Sequence, residues 1–187
     1  MSEHAALREA LKRTAVALKS SGRPFALAGG YAAWARGGPE PHHDVDFALR
    51  PQDVEEVVDH LRRNGFDVQQ PPEDWLFKVF VDGALVDVIH RAGGQAVDDA
   101  LLGRAQVLEV LSVEVPVLSA TDVVVHKLCA LDEHACDFAP PLRVVRCVRE
   151  QLDVAEVRRR TEGRPFAEAF LVLLERLGVL GAGPAPG

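Results

Sequence analysis

Leu27-Ala28-Gly29-Gly30-Tyr31-Ala32 and, fifteen residues on from the first glycine, Asp44-Val45-Asp46-Phe47 decide how this 187-residue chain is read. Phe25-Ala26-Leu27-Ala28 is a short apolar run that reads as a buried strand stopping at Gly29-Gly30, with a small-residue helix over 31–36. Two glycines between a strand and a helix let backbone N–H groups approach a phosphate with no Cβ in the way. By itself such a pair is equally a tight turn, and it gains weight from the Asp-x-Asp strand downstream. Val45 to Leu49 is that second strand, with Val45, Phe47 and Leu49 on one face and Asp44 and Asp46 on the other, because side chains alternate.

A third acid lies further on. Asp87 interrupts Leu85-Val86-Asp87-Val88-Ile89, an otherwise aliphatic run. A carboxylate there is costly to bury unless it is paired or bound to metal, although an edge strand would leave it in water. Phosphoryl transfer uses two divalent ions about 3.5–4 Å apart, which bind the triphosphate and activate the attacking hydroxyl. Mg²⁺ takes carboxylate oxygens, and Mn²⁺ is an alternative. Asp44 and Asp46 supply adjacent carboxylates, and Asp87 completes the set and accepts the nucleophile's proton. The competing structural role for Asp44 and Asp46 is a capping or loop pair.

The rest of the chain frames these residues. Leu7, Leu11, Ala15 and Leu18 predict an amphipathic helix over 3–20. Pro51 opens a helix carrying Val54, Val57, Val58 and Leu61, with Gly65 as its stop. Strand-like runs come next at 66–68, 75–81 and 85–89, with Asp82-Gly83 as the turn between the last two. Two more β-like runs, 106–111 and 113–117, precede helices expected over 119–133, 137–151, 153–160 and 166–178, the first started by Ser119. The fold class is α+β: a mixed sheet with flanking helices over residues 1–118, then a helical region over 119–180. Residues 181–187, only Gly, Ala and Pro, are expected to be a disordered tail.

Composition excludes several classes. A net charge of −7 argues against gripping a long duplex, while leaving room for an RNA end at a local basic patch. The arginine clusters at 143–149 and 158–160 read as helical surface charge. Cys129, Cys136 and Cys147 show no C-x-x-C spacing, so no disulfide framework or zinc ribbon is expected. Cys129 and Cys136, seven apart, are expected on one apolar helix face. No apolar run reaches membrane-spanning length and the start of the chain does not read as a secretory signal, so a cytoplasmic protein without membrane contact is expected.

These residues resemble the minimal polymerase-β-type nucleotidyltransferases, including bacterial relatives of the AbiEii and MenT toxin type. The likeness is carried by Leu27 to Ala32, Arg36-Gly37, Asp44 to Phe47 and Val86-Asp87-Val88, and it covers roughly residues 20–150 with a similar helical tail. It implies the nucleotidyltransferase fold, Mg²⁺ dependence, and transfer of a nucleoside monophosphate from an NTP with loss of pyrophosphate. In the toxins the acceptor is the 3′ end of tRNA, and a cognate antitoxin protein is the implied partner. Lys127 and Asp137 match a functional Lys and Asp of those toxins, Lys127 as a phosphate-contacting or charge-balancing cation; an exposed helix lysine and a helix N-cap are their plainer roles.

One position departs from the pattern. His42 stands where the family has Ser or Thr, two residues before Asp44, and implies altered phosphate handling or lost activity. His42, His43 and Asp44 form an alternative transition-metal set, for Zn²⁺ or Mn²⁺. Lys78, on an apolar strand, faces either the cleft or solvent. Nucleotide contacts are therefore expected from Gly29, Gly30, His42, Lys78 and Asp137. The alternatives to a tRNA-modifying enzyme are a small-molecule (antibiotic) nucleotidyltransferase and a catalytically degenerate module that binds nucleotide or protein.

Overall fold

A computed structural model describes residues 3–72, 74–92 and 94–181. Its centre is a seven-stranded mixed sheet ordered β3-β4-β5-β2-β1-β9-β8. Helix α1 (Glu3–Ser20) lays Leu7, Leu11, Ala15 and Leu18 against the sheet, and packs on β4, β5 and β9. Strand β1 (Phe25–Ala28) is buried throughout and leads directly into α2 (Gly29–Ala35), which starts two residues before the expected helix. Strand β2 (Val45–Leu49) returns antiparallel to β1, with Asp46 opposite Ala28. A 3-10 turn at Pro51–Asp53 leads into α3 (Val54–Arg63), with Val57, Val58 and Leu61 buried.

The next strands place the third acid. β3 (Asp67–Gln69), β4 (Leu76–Val81) and β5 (Ala84–Ile89) form an antiparallel meander. Asp82 and Gly83 both have positive φ, +50° and +85°, which is the twist a two-residue hairpin turn requires. Strand β5 then lies parallel to β2 in a register that puts Asp87 beside Asp46, and Lys78 on β4 stands opposite Asp87. Three elements have no counterpart in the sequence reading: the small hairpin β6 (Arg91–Ala92) and β7 (Gln95–Ala96), and α4 (Asp99–Gly103), capped by Asp98 Oδ1 accepting from the Leu101 N–H at 2.7 Å. Two- and five-residue elements are too short to show a period.

Strands β8 (Gln106–Val110) and β9 (Val113–Val117) pair antiparallel, and β9 joins the sheet parallel to β1. Ser119 caps α5 (Ala120–Cys129) by accepting from the Asp122 N–H at 3.0 Å, as expected from the sequence. Helices α6 (Ala139–Val148), α7 (Val154–Thr161) and α8 (Pro165–Arg176) gather around α5, which also packs against α2. Helix α5 ends four residues before the expected boundary. Asp132 Oδ1 accepts from the His134 and Ala135 N–H groups, both at 2.8 Å, and this local turn replaces helical bonding. Cys136 is therefore exposed and off the helix, so the reading of Cys129 and Cys136 as one apolar face is corrected. The expected tail at 181–187 falls, from residue 182, outside the described residues.

The first turn of α5 carries an ionic knot around a buried carboxylate. Asp122 is inaccessible to solvent and accepts from Arg104 at 2.8 and 3.1 Å, from Arg160 at 2.6 Å and from the Ser119 hydroxyl at 2.6 Å. Among the described residues no helix is long and apolar enough to cross a membrane.

Candidate active site

The strand register brings three carboxylates to one point. Asp44, Asp46 and Asp87 each offer an oxygen within 4.8 Å of the others, and each is partly buried. Burial, then the charges of Asp44 and Asp87, push the Asp46 carboxyl up to about 7, against opposing pulls from Lys127 and an N–H donated by Gly30. Burial also raises Asp87, while Lys78 holds it down and Asp44 adds to the rise. Asp87 Oδ1 is buried and has no hydrogen-bond partner. A converging acid trio with an unsatisfied oxygen suits a hard divalent cation, which neutralises the repulsion and supplies the missing partner.

The glycine turn is built against this trio. Gly29 has φ +55°, and a Cβ at that position would lie 1.7 Å from Asp46 Oδ2. A Cβ on Gly30 would meet the Pro41 side chain at 2.8 Å. The backbone can pass so near the carboxylates only without side chains. Gly29→Ala is expected to lower stability by about 1–3 kcal/mol through the left-handed backbone and the clash. By displacing Asp46 it is also expected to cut transfer about 100-fold. Thermal unfolding and initial transfer rates, measured on one preparation, check both.

A cavity of about 530 Å³ opens beside the trio, lined by Gly29, Asp46, Trp75, Val123, His126 and Lys127 among others. Lys127 thus meets Asp46 across the cleft, while Lys78 faces Asp87 across the sheet. His42 is exposed and lies against His4 with ring centres 4.5 Å apart and planes tilted by 42°, near the Glu40 carboxylate that Arg8 binds through two 2.7 Å hydrogen bonds. Among the described residues the carboxylate trio is the one group placed to share a cation, and neither His42 nor His43 belongs to it. Asp137 is exposed, does not line the cleft, and accepts from the Ala139 N–H at 2.9 Å at the start of α6.

Some features escaped the sequence reading. His126 lines the cleft one residue before Lys127, and burial drives its imidazole down to about 4, so it is neutral. Trp75, half exposed, forms part of the same wall. Arg36 turns away from the site: its guanidinium donates to the Leu118 and Val117 carbonyls at 2.6 and 3.0 Å, and Gln151 donates to its carbonyl at 2.8 Å. It fastens α2 to the end of β9.

Known proteins share this architecture. The model of a family described as uncharacterised nucleotidyltransferase matches residues 2–182. The crystal structure of ANT(2″)-Ia in complex with adenylyl-2″-tobramycin aligns with TM-score 0.58 at 17% identity, covering 89% of this chain and 97% of that one. An antigenic nucleotidyltransferase-like protein from Paracoccidioides brasiliensis aligns with TM-score 0.53 at 13% identity, covering 92% of this chain and 88% of that one. The solution structure of the antibiotic-resistance factor ANT(2″)-Ia aligns with TM-score 0.51 at 16% identity, covering 87% and 88%. At these identities the likeness is one of fold. No curated protein sequence matches the chain.

Proposed function

Since the chain belongs to the uncharacterised nucleotidyltransferase family, we propose that it moves a nucleoside monophosphate from an NTP to a hydroxyl acceptor at the site of Asp44, Asp46 and Asp87. The observation that carries this reading is the convergence of those three carboxylates against the Gly29-Gly30 turn. The acids fit Mg²⁺, which neutralises triphosphate charge and makes the acceptor hydroxyl more acidic when bound. Asp87, its pKa raised, takes the hydroxyl proton. The acceptor oxygen bonds to the α-phosphorus, the α–β bridge breaks, and pyrophosphate departs with the electron pair. Lys127 and Lys78 balance the charge on either side of the trio, and the glycine turn admits the phosphates to the backbone. In this reading residues 1–118 form the catalytic core, and the helical region 119–180 closes the cleft through Lys127.

The finer reading takes the tRNA 3′ end as acceptor and the protein as a cytoplasmic toxin of the AbiEii and MenT kind. It expects expression to slow growth and a neighbouring gene product to restore it. The enzymatic test is incubation with Mg²⁺, each of four α-labelled NTPs and, as acceptor, total tRNA or a tRNA-free lysate that includes its small molecules. Label on tRNA supports the reading. Label on a small molecule alone discards the tRNA acceptor, and no transfer to any acceptor discards the transferase.

The raised Asp46 pKa sets a pH dependence. A carboxyl whose folded pKa lies above its ordinary value favours folding when protonated. The metal-free protein is therefore expected to lose stability as pH rises from about 4 to about 7, and a divalent cation to restore it above that range. Because cation and proton compete, Mn²⁺ affinity should weaken about tenfold per pH unit below 7 and level off above it. Calorimetric Mn²⁺ titrations between pH 5.5 and 8.5 read this, and a flat profile contradicts it.

A further inference from the structure

A second cavity, of about 370 Å³, lies on the other side of His126 and Val97, which line both it and the aspartate cleft. Its wall carries four guanidinium groups, Arg104, Arg159, Arg160 and Arg164, against the carboxylates of Glu156 and Asp98. In a chain of net charge −7 this is a local concentration of positive charge. The groups come from three places in the chain: residue 104 after α4, residues 159 and 160 on α7, and residue 164 at the start of α8. Arg104 and Arg160 are anchored from below by Asp122, which fixes their planes. Arg164 is anchored through its bond to the Cys129 carbonyl at 3.1 Å.

The position among these groups is held by a side-chain carboxylate. Glu156 accepts from Arg159 at 2.7 and 2.8 Å and lies 4.0 Å from Arg160 Nε, and Arg159, Arg160 and Arg104 together lower its pKa. Arg159, with a side chain 68% exposed, bonds to Glu156 rather than to the buried Asp122 that holds Arg104 and Arg160. Guanidinium forks fit phosphate oxygens as they fit carboxylates. The aspartate cleft repels an anionic acceptor, so a nucleic-acid strand entering it needs a cationic seat close by. A polycationic acceptor such as an aminoglycoside gains nothing from this wall.

We propose that the arginine cavity seats a backbone phosphate of a single-stranded RNA acceptor whose terminal hydroxyl enters the aspartate cleft, with Arg159 exchanging Glu156 for the phosphate. The site rests on the transferase reading of the adjacent cleft, but its test is made on binding. The surface pair Arg159–Glu156 contributes little to stability, and the α7 cap uses the Glu156 N–H rather than its side chain, so both variants keep the fold.

The experiment measures binding of a fluorescein-labelled RNA octamer by anisotropy across a salt series, for the full chain, Arg159→Gln and Glu156→Gln. Arg159→Gln is expected to weaken binding about tenfold and to lower the salt slope by roughly 0.7. Glu156→Gln, which removes the resident competitor, is expected to tighten it about threefold. Opposite movements support the site. Equal affinity in all three proteins, or weakening by both substitutions, overturns it. So does failure of the full chain to hold the octamer, and stabilisation of that protein against heat by inorganic phosphate then assigns the cavity to a free anion. Opposite movements without label transfer from any NTP keep the phosphate site and remove the transferase reading. Transfer to RNA with affinity indifferent to both substitutions does the reverse.

Discussion

Asp46→Asn is expected to lose transfer by about a thousand-fold or more while the fold becomes more stable. Asparagine has nearly the same shape, so the strand register and the contact with the Gly29 turn persist. What changes is charge: a neutral amide supplies one weak ligand oxygen where a carboxylate stood, and the cation-dependent part of catalysis collapses. The same change relieves the repulsion from Asp44 and Asp87 that, with burial, holds Asp46 near 7. Melting of the metal-free variant at pH 8 should rise by about 3 °C, the equivalent of roughly 1 kcal/mol in a chain of this size. Activity and stability thus move in opposite directions, which generic damage to the fold does not produce. Single-turnover label transfer and thermal unfolding on the same sample decide it, and activity within tenfold of the parent chain would sink the assignment of Asp46.

The second large effect belongs to the ionic knot in the first turn of α5. Asp122→Ala is expected to cost about 3 kcal/mol, since it leaves Arg104 and Arg160 facing an empty polar site. The figure sits at the lower end for buried pairs because Arg104, with a side chain 48% exposed, can turn to water. Burial raises the Asp122 carboxyl, but hydrogen bonds from Arg104, Ser119 and Arg160 outweigh it and bring the pKa down to about 2. A depressed folded pKa stabilises above the unfolded value of about 3.9 and is lost as pH falls through the folded one. The stability gap between the parent chain and Asp122→Asn should therefore narrow by about 2 kcal/mol between pH 4 and pH 2. Urea unfolding over that range tests it, and a constant gap would show that charge is not what Asp122 contributes.

Much of the carboxylate site is legible in the sequence. Asp44 and Asp46 stand out as an Asp-x-Asp pair on one strand face, Asp87 as a lone charge in an aliphatic strand, and Gly29-Gly30 because a glycine pair marks the end of a short apolar run. Register completes the picture, setting Asp87 beside Asp46 across forty residues of chain. Other features are hidden for physical reasons. Helix α4 and the β6–β7 hairpin are too short to impose a period. The contact of His42 with His4, at the start of α1, joins residues thirty-eight apart and no local pattern announces it. The arginines at 158–160 read as surface charge, yet Arg158 turns to Glu175, Arg159 to Glu156 and Arg160 to Asp122. Neighbours in sequence there serve three different ends, and only packing separates them.

Strand β1 carries a consequence for how the protein is made. It is buried on every residue, yet its two edges are closed at very different times during synthesis. Strand β2 covers one edge within about twenty residues, whereas the other waits for β9, some ninety residues later, in a parallel pairing that no turn can guide. Until residue 117 has left the ribosome, the nascent chain presents an unpaired apolar edge, Phe25-Ala26-Leu27-Ala28, in the interior of what will be the sheet. The segment that ends at the glycine turn is thus also the one most open to mispairing with a second copy. Chains that stall or are cut before β9 should be prone to aggregate, and the short β8–β9 hairpin is what seals the sheet.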